Sequence, residues 1–167
     1  MGGGDFARDR IVPDIYRAVR SGTGLVLRNP DSIRPWQHVL EPLIGYMELA
    51  DAMLGEYDSR YSSAWNFGPG PESFVTVRHI AQKAKDAFGG GFSWTESAHG
   101  GKGEKEAAVL KLDSSKALNV LGWEPKLGID CALENTFSWY KALLDKQDVN
   151  AVVNGQIDEY LGMFSAS

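Results

Sequence analysis

The sequence predicts an α/β domain that is mostly helical, with short, scattered strands and without a complete doubly wound parallel sheet. Three observations support this class. Several segments carry apolar residues at helical spacing, the strand-like runs between them are short, and no pair of long apolar strands flanks a helix. The chain has 167 residues, of which 43% are apolar, so it is long enough to form a core.

The helices are predicted from apolar periodicity and from their capping residues. Asp9 is expected to cap a helix that runs to about residue 20 and has Pro13 in its first turn, where proline is tolerated. A long helix is predicted over about 41–54, with an apolar stripe that should face a core. The residues of this stripe are Leu43, Met47, Ala50 and Leu54. Further helices are predicted at about 77–88, 114–122, 129–144 and 156–161.

Short strands are predicted between these helices. They are expected at 25–27, just after Arg34, at 64–68, at 75–77 leading into the next helix, and at 92–95. Cys131 lies in an apolar helical pattern and is predicted to be a small buried residue. As a single cysteine, it excludes an internal disulfide and a cysteine-rich zinc site.

Charge and hydropathy exclude several classes of function. The net charge is -5 and the basic residues are spread along the chain, which argues against nucleic-acid binding. An anionic ligand must therefore be held by a few well-placed cations. No apolar run approaches the ~18 residues of a membrane span, and the first residues lack the features of a secretory signal. A cytoplasmic location and the absence of a metal site are predicted.

Two side chains suit the binding of phosphate. Arg34 precedes a proline, and its planar guanidinium can donate two hydrogen bonds to the oxygens of a diphosphate. Its alternative role is a surface ion pair with Asp31 or Glu41. Asn66 lies between two aromatic residues, where its amide can donate to a phosphate oxygen or bond its own backbone in a turn.

Six segments occur in the order and spacing of the carboxy-terminal part of extended short-chain dehydrogenase/reductases. They are GGGDFARDR at 2–10, RNP at 28–30, RPWQHVLEPL at 34–43, WNFG at 65–68, LKLDSSKA at 110–117 and LGWEP at 121–125. From residue 2 to about residue 145 the chain therefore resembles the sugar-nucleotide 4,6-dehydratases of this class. The run RNPDSIRPWQHVLEPL is close to that of the members acting on CDP-glucose.

The resemblance implies a sugar-nucleotide-binding domain at 1–145 and a carboxy-terminal tail at 146–167. It implies that Arg34 binds the nucleotide diphosphate and that Asn66 contacts the ligand. The segment Arg10–Ile11 is expected along the nucleotide base. Lys105 stands where family members often carry histidine. A lysine there can still meet phosphate as a point charge, and its alternative role is a solvated charge in a surface loop.

The resemblance also implies an NAD-dependent lyase in the intact family. Members oxidise the sugar at C4, eliminate water across C5 and C6, and return the hydride to C6. Their amino-terminal half carries a Gly-x-x-Gly-x-x-Gly turn and a Tyr-x-x-x-Lys pair, and neither pattern occurs in this sequence. No cofactor is therefore predicted for this chain alone, and Met1 is expected to mark a boundary within a longer family protein.

Three functional alternatives follow from this resemblance. In the first, the chain binds CDP-glucose or a related nucleoside-diphosphate sugar but is catalytically incomplete. In the second, it is a non-catalytic binding or oligomerisation module, and self-association as a homo-oligomer covers its exposed apolar surface. In the third, a separate Rossmann chain supplies the missing amino-terminal half.

Overall fold

Helices make up most of the molecule. The computed structural model describes residues 1–55, 59–98 and 107–165. The α-helices of these residues are α1 (Ile11–Ser21), α2 (Leu40–Gly55), α3 (Val77–Phe88), α4 (Ile129–Leu144) and α5 (Val149–Ser165). A short π-helical turn, Ala117–Leu121, ends at Gly122, whose φ of 75° suits glycine. The first four helices lie close to their predicted bounds, whereas α5 is much longer than the predicted 156–161.

Four three-residue strands form two separate small sheets. They are β1 (Leu25–Leu27), β2 (Ile33–Pro35), β3 (Phe74–Thr76) and β4 (Trp94–Glu96). β1 pairs with β4 in parallel, and β2 pairs with β3 antiparallel. The predicted fold class, an α/β domain without a complete Rossmann sheet, is confirmed.

The main core lies where α1, α3 and α4 pack together. Each helix presents one apolar face to the others, so burial of these faces supplies most of the stabilisation. The fully buried members include Ile15 of α1, Ile80 of α3, and Leu133 and Phe137 of α4. A neighbouring aromatic cluster contains Tyr16, Trp139 and Tyr140.

The prediction of a strand at 64–68 is wrong. This segment has no strand partner, and side-chain contacts hold it in place. Phe67 is buried with its ring edge-on to Trp123 at 5.0 Å between centroids. The Gly68 backbone N–H donates to Ser114 Oγ at 2.7 Å. A side chain thus satisfies a backbone donor that a β-ladder would otherwise use.

Two predictions about single residues are also wrong. Asp9 does not cap α1: it has a φ of 61°, and its carboxylate pairs with Arg28 at 2.9 Å. The N-cap position is Arg10, which makes no side-chain capping bond. Cys131 is exposed, because α4 buries the face that carries Ala132, Leu133, Thr136 and Phe137 and leaves the Cys131 side in solvent.

The predicted apolar stripe of α2 is exposed and does not face the core. The helix instead buries the opposite side, where Gly45 lies against the Phe67 ring. Glu41, on the same buried side, is fully buried. A Cβ at position 45 would collide with the Phe67 ring, so this close contact requires glycine on the inward face of α2.

Glu41 joins three parts of the chain that are distant in sequence. Its carboxylate accepts hydrogen bonds from the backbone N–H groups of Lys126 (2.9 Å) and Leu127 (2.6 Å). The Tyr160 hydroxyl of α5 donates to the other oxygen at 2.8 Å. Burial raises the pKa of Glu41, and these three donors oppose that shift. The residues 146–165 are therefore tied to the domain through α5.

Candidate functional site

A cleft of about 970 Å³ lies beside the amino-terminal end of α1. Its walls come from residues 9–14, from β1 and the residues that follow it, and from β2 with the chain up to Val39. The size is in the range of sites that hold a small organic ligand. The two small sheets position this cleft, because β1 and β2 each present one wall to it.

Arg34 lines the cleft from β2 and is held by the backbone around it. Its Nη1 donates to the carbonyl of Ile33 at 2.8 Å and to that of Ala107 at 2.9 Å. The alternative role of Arg34 was an ion pair with Asp31 or Glu41, and both of these carboxylates have other partners. Asp31 pairs with Arg78 at 2.9 Å, and Glu41 is buried in its own hydrogen-bond network. These two backbone bonds orient the guanidinium beside the cleft.

Arg10 and Ile11 line the same cleft at the start of α1. The Arg10 guanidinium pairs with Asp5 at 3.1 Å, and the two side chains are 68% and 38% exposed. Exposed ion pairs of this kind contribute little free energy, so a ligand phosphate can replace the carboxylate at small cost. Ile11 is half-buried and gives this end of the cleft an apolar surface.

Gln37 and His38 line the cleft but were not among the predicted site residues. His38 is 2% exposed, and its Nδ1 accepts a hydrogen bond from the Leu40 N–H at 3.4 Å. The remaining ring nitrogen, Nε2, and the Gln37 side-chain Nε2 are buried without a hydrogen-bond partner in the described part of the chain. Burial, with a contribution from the Met1 amino group, lowers the pKa of His38 to about 4. At neutral pH the ring is therefore uncharged, with Nε2 as its donor.

The other residues predicted for the site lie apart from it or outside the described residues. Asn66 is not among the residues that line the cleft, and its side-chain Nδ2 donates to the Asp113 carbonyl at 3.1 Å. This bond joins the WNFG segment to the start of LKLDSSKA. Lys105 lies outside the described residues. The structure thus brings Arg34, Arg10 and Ile11 together and leaves Asn66 in a different place.

The described residues contain neither a cluster of metal ligands nor a membrane-spanning helix. No group of three or more His, Cys, Asp or Glu side chains in them is arranged to hold a metal. None of the helices in residues 1–55, 59–98 and 107–165 has both the length and the apolar character of a membrane span. Placed cations and amides beside apolar surface are instead suited to an organic anion.

The chain is similar to enzymes that act on sugar nucleotides. It is 41% identical over 161 residues to CDP-glucose 4,6-dehydratase of Salmonella typhimurium, a match that covers 96% of this chain and 44% of that protein. It is 35% identical over 95 residues to GDP-L-fucose synthase 1 of Arabidopsis thaliana, covering 56% of this chain and 27% of the relative. No protein-family model matches it.

A solved structure shares the fold. UDP-N-acetylglucosamine 4-epimerase from Bacillus cereus aligns with a TM-score of 0.56 at 19% identity, covering 81% of this chain and 44% of that one. The chain belongs to the sugar-nucleotide dehydratase and epimerase family. Within that family it is similar to CDP-glucose 4,6-dehydratase along nearly all of its own length, and it spans less than half of that relative.

Proposed function

We propose that the chain is the nucleoside-diphosphate-sugar-binding part of a CDP-glucose 4,6-dehydratase and is catalytically incomplete alone. The observation that carries this proposal is the meeting of Arg34, Arg10 and Ile11 in one cleft. These are the residues that the family resemblance assigns to the diphosphate and the base. The overall charge of -5 makes a local cationic site the basis for holding an anion here.

Each side chain has a distinct part in binding. The guanidinium of Arg34, oriented by the Ile33 and Ala107 carbonyls, supports the diphosphate with charge-assisted hydrogen bonds. The Arg10–Ile11 segment lies along the base, where its backbone groups can read the edge of the ring. His38 and Gln37 form part of the cleft wall beside Arg34.

The residues of this chain do not fit the NAD of the intact family. Neither the Gly-x-x-Gly-x-x-Gly turn nor a Tyr-x-x-x-Lys pair is present in the sequence. No hydride transfer is therefore assigned to it. We assign the lyase activity only to a protein that also contains the NAD-binding half. The cytoplasmic location predicted for the chain stays a proposal.

The proposal predicts that the chain binds CDP and CDP-glucose, with Arg34 as the main contributor. Substituting Arg34→Ala should weaken binding by about tenfold or more, since hydrogen bonds to a charged group contribute roughly 1.5–3 kcal/mol each. Isothermal titration calorimetry measures the affinities. Arg20→Ala is a matched control, because Arg20 is an exposed arginine at the far end of α1 and does not line the cleft. Equal affinities for wild type and Arg34→Ala contradict the assignment.

A second candidate function is a non-catalytic binding or oligomerisation module derived from the same domain. The exposed apolar face of α2 favours it. In that case the melting temperature stays unchanged on addition of CDP, and sedimentation equilibrium shows a dimer or larger species. A rise in melting temperature with CDP and a monomeric mass support the first function.

A further inference from the structure

A second ion pair lies in the wall of the cleft, between the loop before α1 and the end of β1. Arg28 Nη2 donates to Asp9 Oδ1 at 2.9 Å, and both residues line the cleft. The two side chains are 62% and 76% exposed, so their pairing contributes little to stability. Asp9 also directly precedes the Arg10–Ile11 segment, which is proposed to lie along the base. A ligand can therefore reach both charges beside the position of its base.

The backbone of Asp9 favours this pairing over the capping of α1. Its φ of 61° lies in the left-handed region, which residues other than glycine adopt infrequently. An aspartate before a helix commonly caps it, yet α1 has Arg10 at its N-cap and no side-chain capping bond. Residues held in unfavourable conformations cluster at ligand sites. A ligand therefore explains the position of the Asp9 carboxylate better than the stability of α1 does.

The surface next to the pair suits a flat aromatic ring. Val26 and Arg28 are both exposed and both line the cleft, whereas Leu27 between them is buried, as alternation along a strand requires. Val26 is 57% exposed, which is a large fraction for an apolar side chain inside a cleft. A ring that packs against Val26 meets the Arg28–Asp9 pair at its edge.

The pair presents hydrogen-bonding groups in the order that cytosine requires. Along one edge, cytosine carries the N4 amine, which donates, followed by N3 and O2, which accept. A carboxylate accepts from the N4 amine, and a guanidinium beside it donates to N3 and O2. Because one hydrogen bond joins Arg28 to Asp9, Oδ2 of Asp9 and Nη1 of Arg28 have no partner in the described part of the chain. These groups are open to a base.

The other ion pair of the cleft is less suited to this role. Both oxygens of the Asp5 carboxylate already accept a hydrogen bond, one from the Ala7 N–H at 2.9 Å and one from Arg10 at 3.1 Å. Asp5 and Arg10 also lie in the same loop, whereas Asp9 and Arg28 belong to different parts of the cleft wall. The Arg28–Asp9 pair is therefore the better candidate for reading the edge of a base.

Uracil and thymine do not match the same pair. Their O4 accepts and their N3–H donates, so the carboxylate faces an oxygen and a guanidinium N–H faces another N–H, and both contacts are repulsive. We infer that the Arg28–Asp9 pair reads the base of the bound nucleotide and selects cytosine. This inference rests on the proposed function, because it names the residues that set the base specificity of the same site.

Isothermal titration calorimetry with CDP and UDP tests the inference on the chain itself. The two ligands carry the same ribose and the same diphosphate, so the ratio of their affinities reports the base alone. The wild-type chain should bind CDP about tenfold or more tightly than UDP, which is the discrimination that one well-placed set of base contacts provides.

The variant Asp9→Asn identifies the residue that accepts from the N4 amine. Asparagine also tolerates the left-handed conformation, so the melting temperature should stay unchanged. Its amide can turn its oxygen to cytosine N4 or its nitrogen to uracil O4, so the affinity ratio should fall to about one. Asp31→Asn is the matched control. Asp31 is 78% exposed and pairs with Arg78 at 2.9 Å, but it is not among the residues that line the cleft.

The variant Arg28→Met tests the other half of the pair. It keeps an unbranched side chain and removes the donors to N3 and O2, so CDP affinity should fall about tenfold and the preference for CDP should disappear. A ratio near one for the wild type overturns the inference, and so does a ratio that either variant leaves unchanged. In both cases, binding of CDP and UDP still supports the proposed function. Failure of the wild type to bind either ligand overturns the proposed function itself.

Discussion

His38 couples the stability of the domain to pH. Its pKa falls from 6.5 to about 4 on folding, since the buried ring is neutral in the native state. The unfolded chain therefore binds more protons between these two values, and stability rises with pH across this window. Acidification from pH 6.5 to 4 should cost roughly 3 kcal/mol through this residue. Urea unfolding at a series of pH values measures the effect.

The variant His38→Gln isolates this contribution from that of the carboxylates. Glutamine carries no titrating group, so the pH profile of the variant should lack the part due to the imidazole. The difference between the two profiles should develop between pH 6.5 and about 4. Parallel profiles for the two proteins contradict the assignment.

Chemical type and the family resemblance together named candidate site residues but could not place them. Arg34 was predicted because a guanidinium suits a diphosphate and because the family resemblance assigns it that role, and the structure places it in the cleft with Arg10 and Ile11. Asn66 was predicted on similar grounds, yet its amide bonds the Asp113 carbonyl. A buried donor without a partner, such as Gln37 Nε2, cannot be recognised before the structure shows which groups surround it.

At the scale of elements, the contact between α2 and the WNFG segment depends on a missing side chain. A Cβ at Gly45 would collide with the Phe67 ring. Gly45→Ala should therefore destabilise the protein by about 1–3 kcal/mol, although alanine favours helix formation by about 1 kcal/mol. Chemical denaturation measures the change in the free energy of unfolding. Gly155→Ala is the control, because it reports the gain in helix propensity without a collision. Gly155 lies in α5 with open space around it, so its substitution should be neutral or stabilising.

Element boundaries followed local sequence where caps and periodicity agreed. The predicted bounds of α3 and α4 match the structure, since their apolar faces both meet the main core. The prediction failed at 64–68, where aromatic residues typical of strands pack as isolated anchors. It also failed for the inward face of α2, because periodicity located an apolar stripe but not what lies opposite it.

At the scale of the whole molecule, the Glu41 network holds α5 against the domain. Tyr160→Phe removes the donor to Glu41 Oε2 and leaves a buried acceptor unsatisfied. The free energy of unfolding should fall by about 1–3 kcal/mol. Tyr46→Phe, at a tyrosine that is 57% exposed, is the control and should have little effect. Equal stabilities of the two variants contradict a structural role for the Tyr160 hydroxyl.

The sequence by itself determined most of the helical segments and short strands, the absence of the NAD-binding motifs and the family to which the chain is similar. These features depend on local periodicity and on motifs read in order. Only the tertiary structure decided that Gly45 and Glu41 turn α2 so that its apolar stripe faces solvent, and that Arg34 and Asn66 lie in different places. The physical reason is that packing and hydrogen bonding depend on partners distant in the chain, as between Glu41 and Tyr160.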